Sequence, residues 1–230
     1  MDIDFILKEL ELFSEKKYKE FNSKIIPTKQ VMLGVRVPIL RKMAKRIIED
    51  DAMEFIEFPK HNIYELILLE GIVLSYIDKS FKKLLPSIEN YLDKVDNWAQ
   101  VDSPVMSFKS INKDRKYVYR VIIDKWLKSD EEYILRFALV ILLNYFVEQE
   151  YLKDIFKLSQ EILNKKYYVY MANAWLISVC MVKFPNETIC FFKDNTLDKN
   201  THNKAIQKSI ESFRVSKENK LIIKKLKISI

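Results

Sequence analysis

The sequence has few of the residues that interrupt regular secondary structure. Its 230 residues include only two glycines and six prolines, too few for the many tight turns of a fold made of short strands. Apolar residues make up 49% of the chain and charged residues 31%, as expected of amphipathic helices and not of a disordered chain. The composition therefore predicts a helical fold.

The chain also lacks the residue patterns of common metal and disulfide sites. Cys180 and Cys190 are its two cysteines, and their spacing fits no zinc motif. His61 and His202 are far apart in the sequence, a spacing that does not indicate a catalytic zinc site. Two isolated thiols suit a reducing compartment. We expect no metal and no cofactor.

No uncharged apolar run is long enough for a membrane span. The longest candidate, Tyr167 to Val182, has sixteen residues and includes Asn173 and Ser178, whereas a span needs about twenty. The opening MDIDFILKELELF is acidic and amphipathic and does not resemble a signal peptide. The expectation is a soluble, cytoplasmic, monomeric protein without a membrane partner.

The net charge of +7 is unevenly distributed. Residues 199–227 hold nine Lys or Arg against two Glu, and residues 24–46 hold seven basic residues and no acid. Two separated basic clusters suit an anionic partner, with nucleic acid the first candidate. They suit solvated helix surfaces equally well, and charge alone does not decide between these readings.

Apolar residues recur at helical spacing along almost the whole chain. The predicted helices are 2–20, 38–57, 62–78, 80–92, 97–103, 105–110, 114–128, 130–147, 150–164, 167–184, 186–194, 200–213 and 216–227. Long apolar helices begin near residues 62, 97, 130, 167 and 200, a step typical of an α-solenoid of HEAT or armadillo type. No linker divides residues 1–230, so we expect one domain. Gly34, in the loop MLGVRVP, is expected to have a conformation that other residues avoid.

The segment VDNWAQVDSPVMSF places Trp98 and Asp102 four residues apart, on one face of a short helix. Each residue has an ordinary structural explanation. Trp98 suits a core position, and Asp102, followed by Ser103 and Pro104, suits the N-cap of a following helix.

Arg136 and Trp175 have side-chain N–H donors but lie on strongly apolar predicted helices. Arg136 is the only charge between Glu132 and Glu148, so it needs a carboxylate or a phosphate partner. Trp175 suits the core, with a partner for its indole N–H. Trp98, Arg136 and Trp175 occur at corresponding places on successive repeats, which predicts that they line one groove.

The sequence resembles the AlkD-like family of DNA alkylation repair proteins, which are built of HEAT-like repeats. The resemblance is carried by MLGVRVPILRKMAKRI (32–47), VDNWAQVDS (95–103), Arg136 in EEYILRFALVILL, Trp175 in MANAWLISVCMVKFP, and THNKAIQKSIESFR (201–214). These segments extend over almost the whole chain.

The resemblance implies a right-handed α-solenoid whose concave face holds duplex DNA. It also implies a glycosylase that releases positively charged alkylated purines, such as 3-methyladenine and 7-methylguanine, with the nucleotide remaining in the duplex. Asp102 would be the catalytic carboxylate, Trp98 and Trp175 would contact the lesion's deoxyribose, and Arg136 would hold a backbone phosphate. Further DNA contacts are expected from the basic clusters, at Arg36, Arg41, Lys204, Lys208 and Arg214.

The chain departs from the well-studied branch of that family at Ile25, Arg36 and Ser178, where that branch has a Tyr, a Gln and a basic residue. Two other functions stay open at this point. One is a non-catalytic protein of the same fold that binds unusual DNA structures. The other is a HEAT-type scaffold whose groove binds an acidic peptide.

Overall fold

The computed structural model describes residues 3–163 and 166–228. Within these ranges it contains fifteen α-helices and no β-strand, so the prediction of an all-α fold is confirmed. The helices are α1 (Ile3–Leu12), α2 (Lys16–Ile25), α3 (Val37–Glu49), α4 (Ala52–Glu57), α5 (Tyr64–Tyr76), α6 (Phe81–Leu92), α7 (Trp98–Val105), α8 (Lys109–Lys113), α9 (Arg115–Asp124), α10 (Glu132–Ile141), α11 (Leu152–Glu161), α12 (Tyr167–Lys183), α13 (Pro185–Lys193), α14 (Lys199–Glu211) and α15 (Lys217–Lys224). None of these helices is long and apolar enough to cross a lipid bilayer.

The helical repeat predicted from the sequence is present. Helices α5, α7, α10, α12 and α14 begin at residues 64, 98, 132, 167 and 199, so successive starts are 32 to 35 residues apart. Between them lie shorter helices, a 3-10 turn at Trp126–Lys128 and a π-helical segment, Leu142–Phe146, that continues α10. The chain is therefore an all-α fold of helical repeats.

Two long predicted helices are each divided into two α-helices in the structure. The first, predicted over 2–20, ends at Leu12 and restarts at Lys16, because the backbone N–H of Glu15 donates to the carbonyl of Gly34 instead of continuing a helix. The second, predicted over 38–57, is divided by Asp51, whose carboxylate accepts the first free N–H groups of α4. The predicted ends at residues 2 and 164 lie outside the described residues.

The first compact unit, Met1–Ile122, is organised around α5. Every residue of this helix except Tyr76 is buried, and α3, α6 and α7 pack against it. A helix that is buried all round has no solvated face for polar side chains. The two glutamates of α5, Glu65 and Glu70, must therefore find partners inside the unit.

The second compact unit, Ile123–Ile230, is organised around α12, which packs against α10 and α14. Its C-terminal core joins apolar side chains of α12, α13, α14 and α15, among them Ile177, Phe192, Ile206 and Ile223. The expectation of a single domain over residues 1–230 stays a prediction.

Candidate functional site

Helix α7 places Trp98 in its first turn and Asp102 one turn later. The helix begins at Trp98 because the Asn97 side chain accepts the backbone N–H groups of Ala99 and Gln100, both at 3.1 Å. Both Trp98 and Asp102 are partly exposed. The spacing predicted from the sequence is therefore realised on one short helix.

Asp102 is not a helix cap, and that alternative is wrong. Helix α7 continues through Asp102, Ser103 and Pro104 to Val105, and the next helix begins only at Lys109. The N-cap of that next helix is Phe108, which makes no side-chain capping bond. Asp102 consequently has no role in starting a helix.

Pro104 lies inside α7 because another residue satisfies the carbonyl that a proline leaves unpaired. Proline has no N–H to donate to the residue four positions earlier, here Gln100. The buried Tyr91 hydroxyl, from α6, donates to the Gln100 carbonyl instead. Gly71 of α5 makes the room, since a Cβ there would lie 2.4 Å from the Tyr91 hydroxyl and 2.7 Å from the Pro104 ring. Burial raises the pKa of Tyr91 well above its usual value, so its hydroxyl remains a donor.

Trp98 is held at the edge of the first unit and is not a fully buried core residue. Its indole Nε1 donates to the carbonyl of Ile25, the last residue of α2, at 3.1 Å. Ile25 is 47% exposed and Phe21, one turn earlier on α2, is 60% exposed. Trp98 therefore has a satisfied N–H and a ring that is partly open to solvent.

Asp96 and Gln100 hold the loop between α2 and α3 against the start of α7. The Asp96 carboxylate accepts from the Thr28 hydroxyl and from the Lys29 backbone N–H, both at 2.8 Å. The side-chain amide of Gln100 donates to that of Gln30. These bonds connect the loop to residues on either side of the N-cap of α7.

Glu65, a buried residue of α5, holds the same loop at its other end. Its carboxylate accepts the backbone N–H groups of Leu33, Gly34 and Val35 at 2.7 to 3.2 Å. Gly34 has the expected unusual conformation, with φ of 99°, and a Cβ there would lie 2.7 Å from the carbonyl oxygen of Glu15. The contacts of Glu65 and Asp96 with this loop were not predicted from the sequence. The available signal for Glu65 was a carboxylate in an almost wholly apolar helix.

Arg41, predicted as a DNA contact, is bonded inside the first unit. Its Nη1 donates to the Tyr76 hydroxyl at 2.9 Å and to the Ser107 hydroxyl at 3.0 Å, and its Nη2 donates to the Ser103 carbonyl at 2.9 Å. Ser103 follows Asp102 on α7. The contacts give Arg41 a role in fixing the end of α7, and a phosphate would have to compete with them.

Arg36, the other predicted contact of the first basic cluster, lies on the surface. It forms a two-pronged ion pair with Glu15, with distances of 2.7 and 2.9 Å, and its guanidinium lies 4.8 Å from the centre of the Tyr18 ring. The hydrogen bond from Arg36 lowers the pKa of Glu15. Because the pair is solvated, it adds little stability and leaves Arg36 accessible.

Glu70 of α5 forms a charge cluster with Lys60 and Lys94. The Glu70 carboxylate accepts from Lys94 Nζ at 2.6 Å and lies 3.8 Å from Lys60 Nζ. Lys60 Nζ also donates to the carbonyls of Phe55, Ile56 and Phe58 at the end of α4. Burial raises the pKa of Glu70 and lowers that of Lys60 to about 8.

Arg136, in the second unit, is buried with 7% of its surface exposed. Its Nη1 donates to the Tyr168 carbonyl at 3.0 Å, and its guanidinium lies 5.9 Å from the centre of the Tyr168 ring. The Tyr168 backbone N–H donates to Glu132, one turn before Arg136, at 2.8 Å. Besides the carboxylate or phosphate expected from the sequence, the guanidinium therefore has a backbone carbonyl as a partner.

Trp175 is partly exposed near the middle of α12, so it is not a core tryptophan of the ordinary kind. Arg136 and Trp175 thus lie on α10 and α12, which are neighbours in the second unit. Ser178, three residues beyond Trp175, donates its hydroxyl to the Trp175 carbonyl at 2.7 Å. The Ser178 hydroxyl is therefore engaged in a hydrogen bond within α12.

The remaining predicted contacts lie at the C-terminal end of the second unit. Lys204 and Lys208 are partly exposed and one turn apart on α14, and Arg214 is exposed in the turn after that helix. Lys204 donates to the side chain of Gln207 at 3.2 Å. Among the described residues, no group of three or more His, Cys, Asp or Glu side chains is arranged to hold a metal ion.

Comparison with known proteins assigns the family. A comparison with curated protein sequences gave no significant match. A family model described as DNA alkylation repair enzyme matches residues 6–208, which include Trp98, Asp102, Arg136 and Trp175. The chain therefore belongs to the family of DNA alkylation repair enzymes.

Proposed function

We propose that the protein is a DNA N-glycosylase that releases positively charged N-alkylated purines, of the 3-methyladenine and 7-methylguanine type, from duplex DNA. One observation carries the proposal within a chain of this family. Asp102 is a partly exposed carboxylate in the body of a helix, one turn after a partly exposed tryptophan, and it caps nothing.

The chemistry of the substrate determines what the protein has to supply. An alkylated purine already carries a positive charge, so it leaves with the electron pair of the glycosidic bond and becomes neutral without a strong acid. Positive charge then develops on the deoxyribose. A carboxylate about 4 Å from that charge, at an effective dielectric near 20, contributes about 4 kcal/mol, or about three decades of rate.

In this mechanism, the Asp102 carboxylate stabilises the sugar cation and accepts a proton from the water that attacks C1′. The products are the free base and an abasic site. The Trp98 ring faces the same cation and adds about 0.5 to 2 kcal/mol. The family resemblance gives Trp175 an equivalent contact with the sugar and gives Arg136 a backbone phosphate.

The basic side chains provide binding and not bond cleavage. Arg36, Lys204, Lys208 and Arg214 attract the phosphate backbone irrespective of sequence. Arg41 contributes to the site indirectly, because its hydrogen bonds position the end of α7. The ligand is duplex DNA that contains alkylated bases, and the activity requires neither a metal nor a cofactor.

Release of free base from methylated duplex DNA tests the proposal. Wild type is compared with Asp102→Asn and with the matched control Asp93→Asn, which changes an exposed aspartate of the same unit. Asp102→Asn should slow release by about three decades with equal or slightly tighter DNA binding, because it removes a charge that repels phosphate. Asp93→Asn should behave like wild type.

Three results would contradict the proposal in different ways. Wild-type rates in Asp102→Asn would remove the carboxylate from the mechanism. Salt-dependent DNA binding without base release by the wild type would indicate a non-catalytic protein that binds DNA structures. Absence of salt-dependent binding would leave a protein-binding scaffold.

A further inference from the structure

We propose that the turn between α14 and α15, residues 212–216, is a DNA-contacting finger whose Phe213 ring inserts between two base pairs. The inference rests on the proposed function, since it takes duplex DNA as the ligand. It adds an inserted aromatic ring, which bends the DNA, to the basic contacts predicted from the sequence.

Phe213 is exposed to an extent that is unusual for an aromatic side chain. Its relative exposure is 103%, that of a side chain in an extended peptide, and the next most exposed large apolar residue of the described ranges, Leu163, reaches 85%. Phenyl rings gain free energy when they leave water, so the folded chain forgoes this stabilisation at Phe213. The ring is therefore available to a ligand.

The turn that carries Phe213 is anchored on both sides. Val215, two residues later, is buried in the core of the second unit. Ser212 Oγ accepts the backbone N–H of Arg214 at 3.3 Å, and Ser216 Oγ caps α15 by accepting that of Asn219 at 3.2 Å. The backbone thus presents the ring outward from a fixed base.

Charge complementarity identifies nucleic acid as the ligand. Residues 212–228 contain six Lys or Arg and one acidic residue, Glu218. Arg214 and Lys217, on either side of the turn, are both exposed. An exposed aromatic ring flanked by cations on a backbone of fixed geometry suits a ligand with flat apolar faces and a polyanionic backbone.

The chemistry of the ring determines what it contacts in the DNA. Phe213 has no polar atom, so a phosphate offers it no bond, whereas the face of a base offers stacking. The base faces of a duplex are covered by their neighbours and become accessible only when a base step opens. Apolar wedges open such steps from the minor groove and kink the duplex, which brings more of it into contact with the protein. Arg214 and Lys217 would then contact the adjacent phosphates.

The experiment measures binding to short duplexes that carry 2-aminopurine at successive positions on either side of a non-cleavable lesion analogue. Unstacking of a base step raises 2-aminopurine fluorescence, and energy transfer between dyes at the duplex ends reports the bend. The variants are Phe213→Ala, Phe213→Leu and Arg214→Gln. Leu221→Ala is the matched control, because it removes another exposed apolar side chain, 65% exposed, on the adjacent helix.

Wild type should unstack one step and bend the duplex. Phe213→Ala should lose both signals and bind about five- to a hundredfold more weakly, with an unchanged salt dependence because no charge is lost. Phe213→Leu should retain most of the bend, since leucine also serves as a wedge. Arg214→Gln should lower the slope of log K against log salt by about one. Leu221→Ala should behave like wild type.

The full exposure of Phe213 means that these variants should fold, and equal melting temperatures confirm it. Binding of Phe213→Ala within about twofold of wild type would overturn the inference while leaving base release, and hence the proposed function, intact. Wild-type binding without unstacking or bending would overturn insertion. Self-association that Phe213→Ala abolishes would assign the ring to a second copy of the chain and would overturn it as well.

Discussion

Removing the Tyr91 hydroxyl tests whether the helix that carries Asp102 depends on a contact from a neighbouring helix. Tyr91 donates to the Gln100 carbonyl, which Pro104 cannot satisfy. Tyr91→Phe keeps the ring in place and removes only this donor. The Gln100 carbonyl is then left without its partner in a buried part of the first unit.

The size of the effect follows from the burial of Gln100. A buried acceptor that is left without a donor costs about 1 to 3 kcal/mol. Tyr91→Phe should therefore lower the free energy of unfolding by about that amount. Tyr117→Phe, at a partly exposed tyrosine of the same unit, is the control and should change stability by less than about 0.5 kcal/mol.

A second substitution makes the prediction specific. Pro104→Ala restores a backbone N–H that can donate to the Gln100 carbonyl within the helix. In the Pro104→Ala background the cost of Tyr91→Phe should fall by at least about half, a coupling energy of about 1 kcal/mol. Additive costs would refute the reasoning.

Chemical denaturation of the four proteins of this cycle measures the coupling, and base release by each measures its effect on Asp102. We expect Tyr91→Phe to slow release while the protein is still folded, because α7 loses the bond that holds its middle turn. Unchanged stability and release would show that the Gln100 carbonyl finds another donor, and would remove Tyr91 from the support of the site.

Three further predictions concern charged residues. Arg41→Lys should slow base release about tenfold and change DNA affinity by less than about threefold, because an ammonium cannot replace the hydrogen bonds of the planar guanidinium. Weaker DNA binding, with the slope of log K against log salt lower by about one, would make Arg41 a phosphate contact instead. Arg136→Ala should lower the free energy of unfolding by about 1.5 to 3 kcal/mol, since a buried charged donor to Tyr168 is lost; an unchanged melting temperature would contradict this. The folded pKa of Lys60, about 8, lies below its ordinary value of 10.5 because of burial, so the unfolded state binds more protons between these values. The free energy of unfolding of wild type relative to Lys60→Met should therefore rise with pH from about 8 to about 10.5 and show no such rise below pH 7; a flat difference would contradict it.

The positions of the buried helices could be predicted because their signal is local. Apolar residues at helical spacing indicated starts near 62, 97, 130, 167 and 200, and the structure has them at 64, 98, 132, 167 and 199. The buried face of each such helix is indicated by the spacing of its own apolar residues. The interruption at Glu15 was missed because its cause, the carbonyl of Gly34, comes from a later part of the chain. The interruption at Asp51 had a local signal, an aspartate in a position to cap.

The supports of the candidate site were not predictable in the same way. Glu65 and Asp96 were visible as acids, but their function in holding the loop between α2 and α3 depends on backbone N–H groups more than thirty residues away in sequence. Arg41 was assigned to DNA because basic residues cluster around it. Its actual partners are the Tyr76 and Ser107 hydroxyls and the Ser103 carbonyl, which are 35 to 66 residues away in sequence and come near Arg41 only after folding.

By itself, the sequence determined the helical class, the repeat, and the four-residue spacing that places Trp98 and Asp102 one turn apart, since all of these depend on neighbouring residues. Only the tertiary structure decided whether Pro104 begins a helix or lies within one. A proline favours the first turn of a helix, where the N–H that it lacks would have no partner, and inside a helix it leaves the carbonyl four residues earlier without a donor. The Tyr91 hydroxyl supplies that donor from α6, and Gly71 leaves room for it. For that reason the helix continues past Asp102, and its carboxylate is not used as a cap.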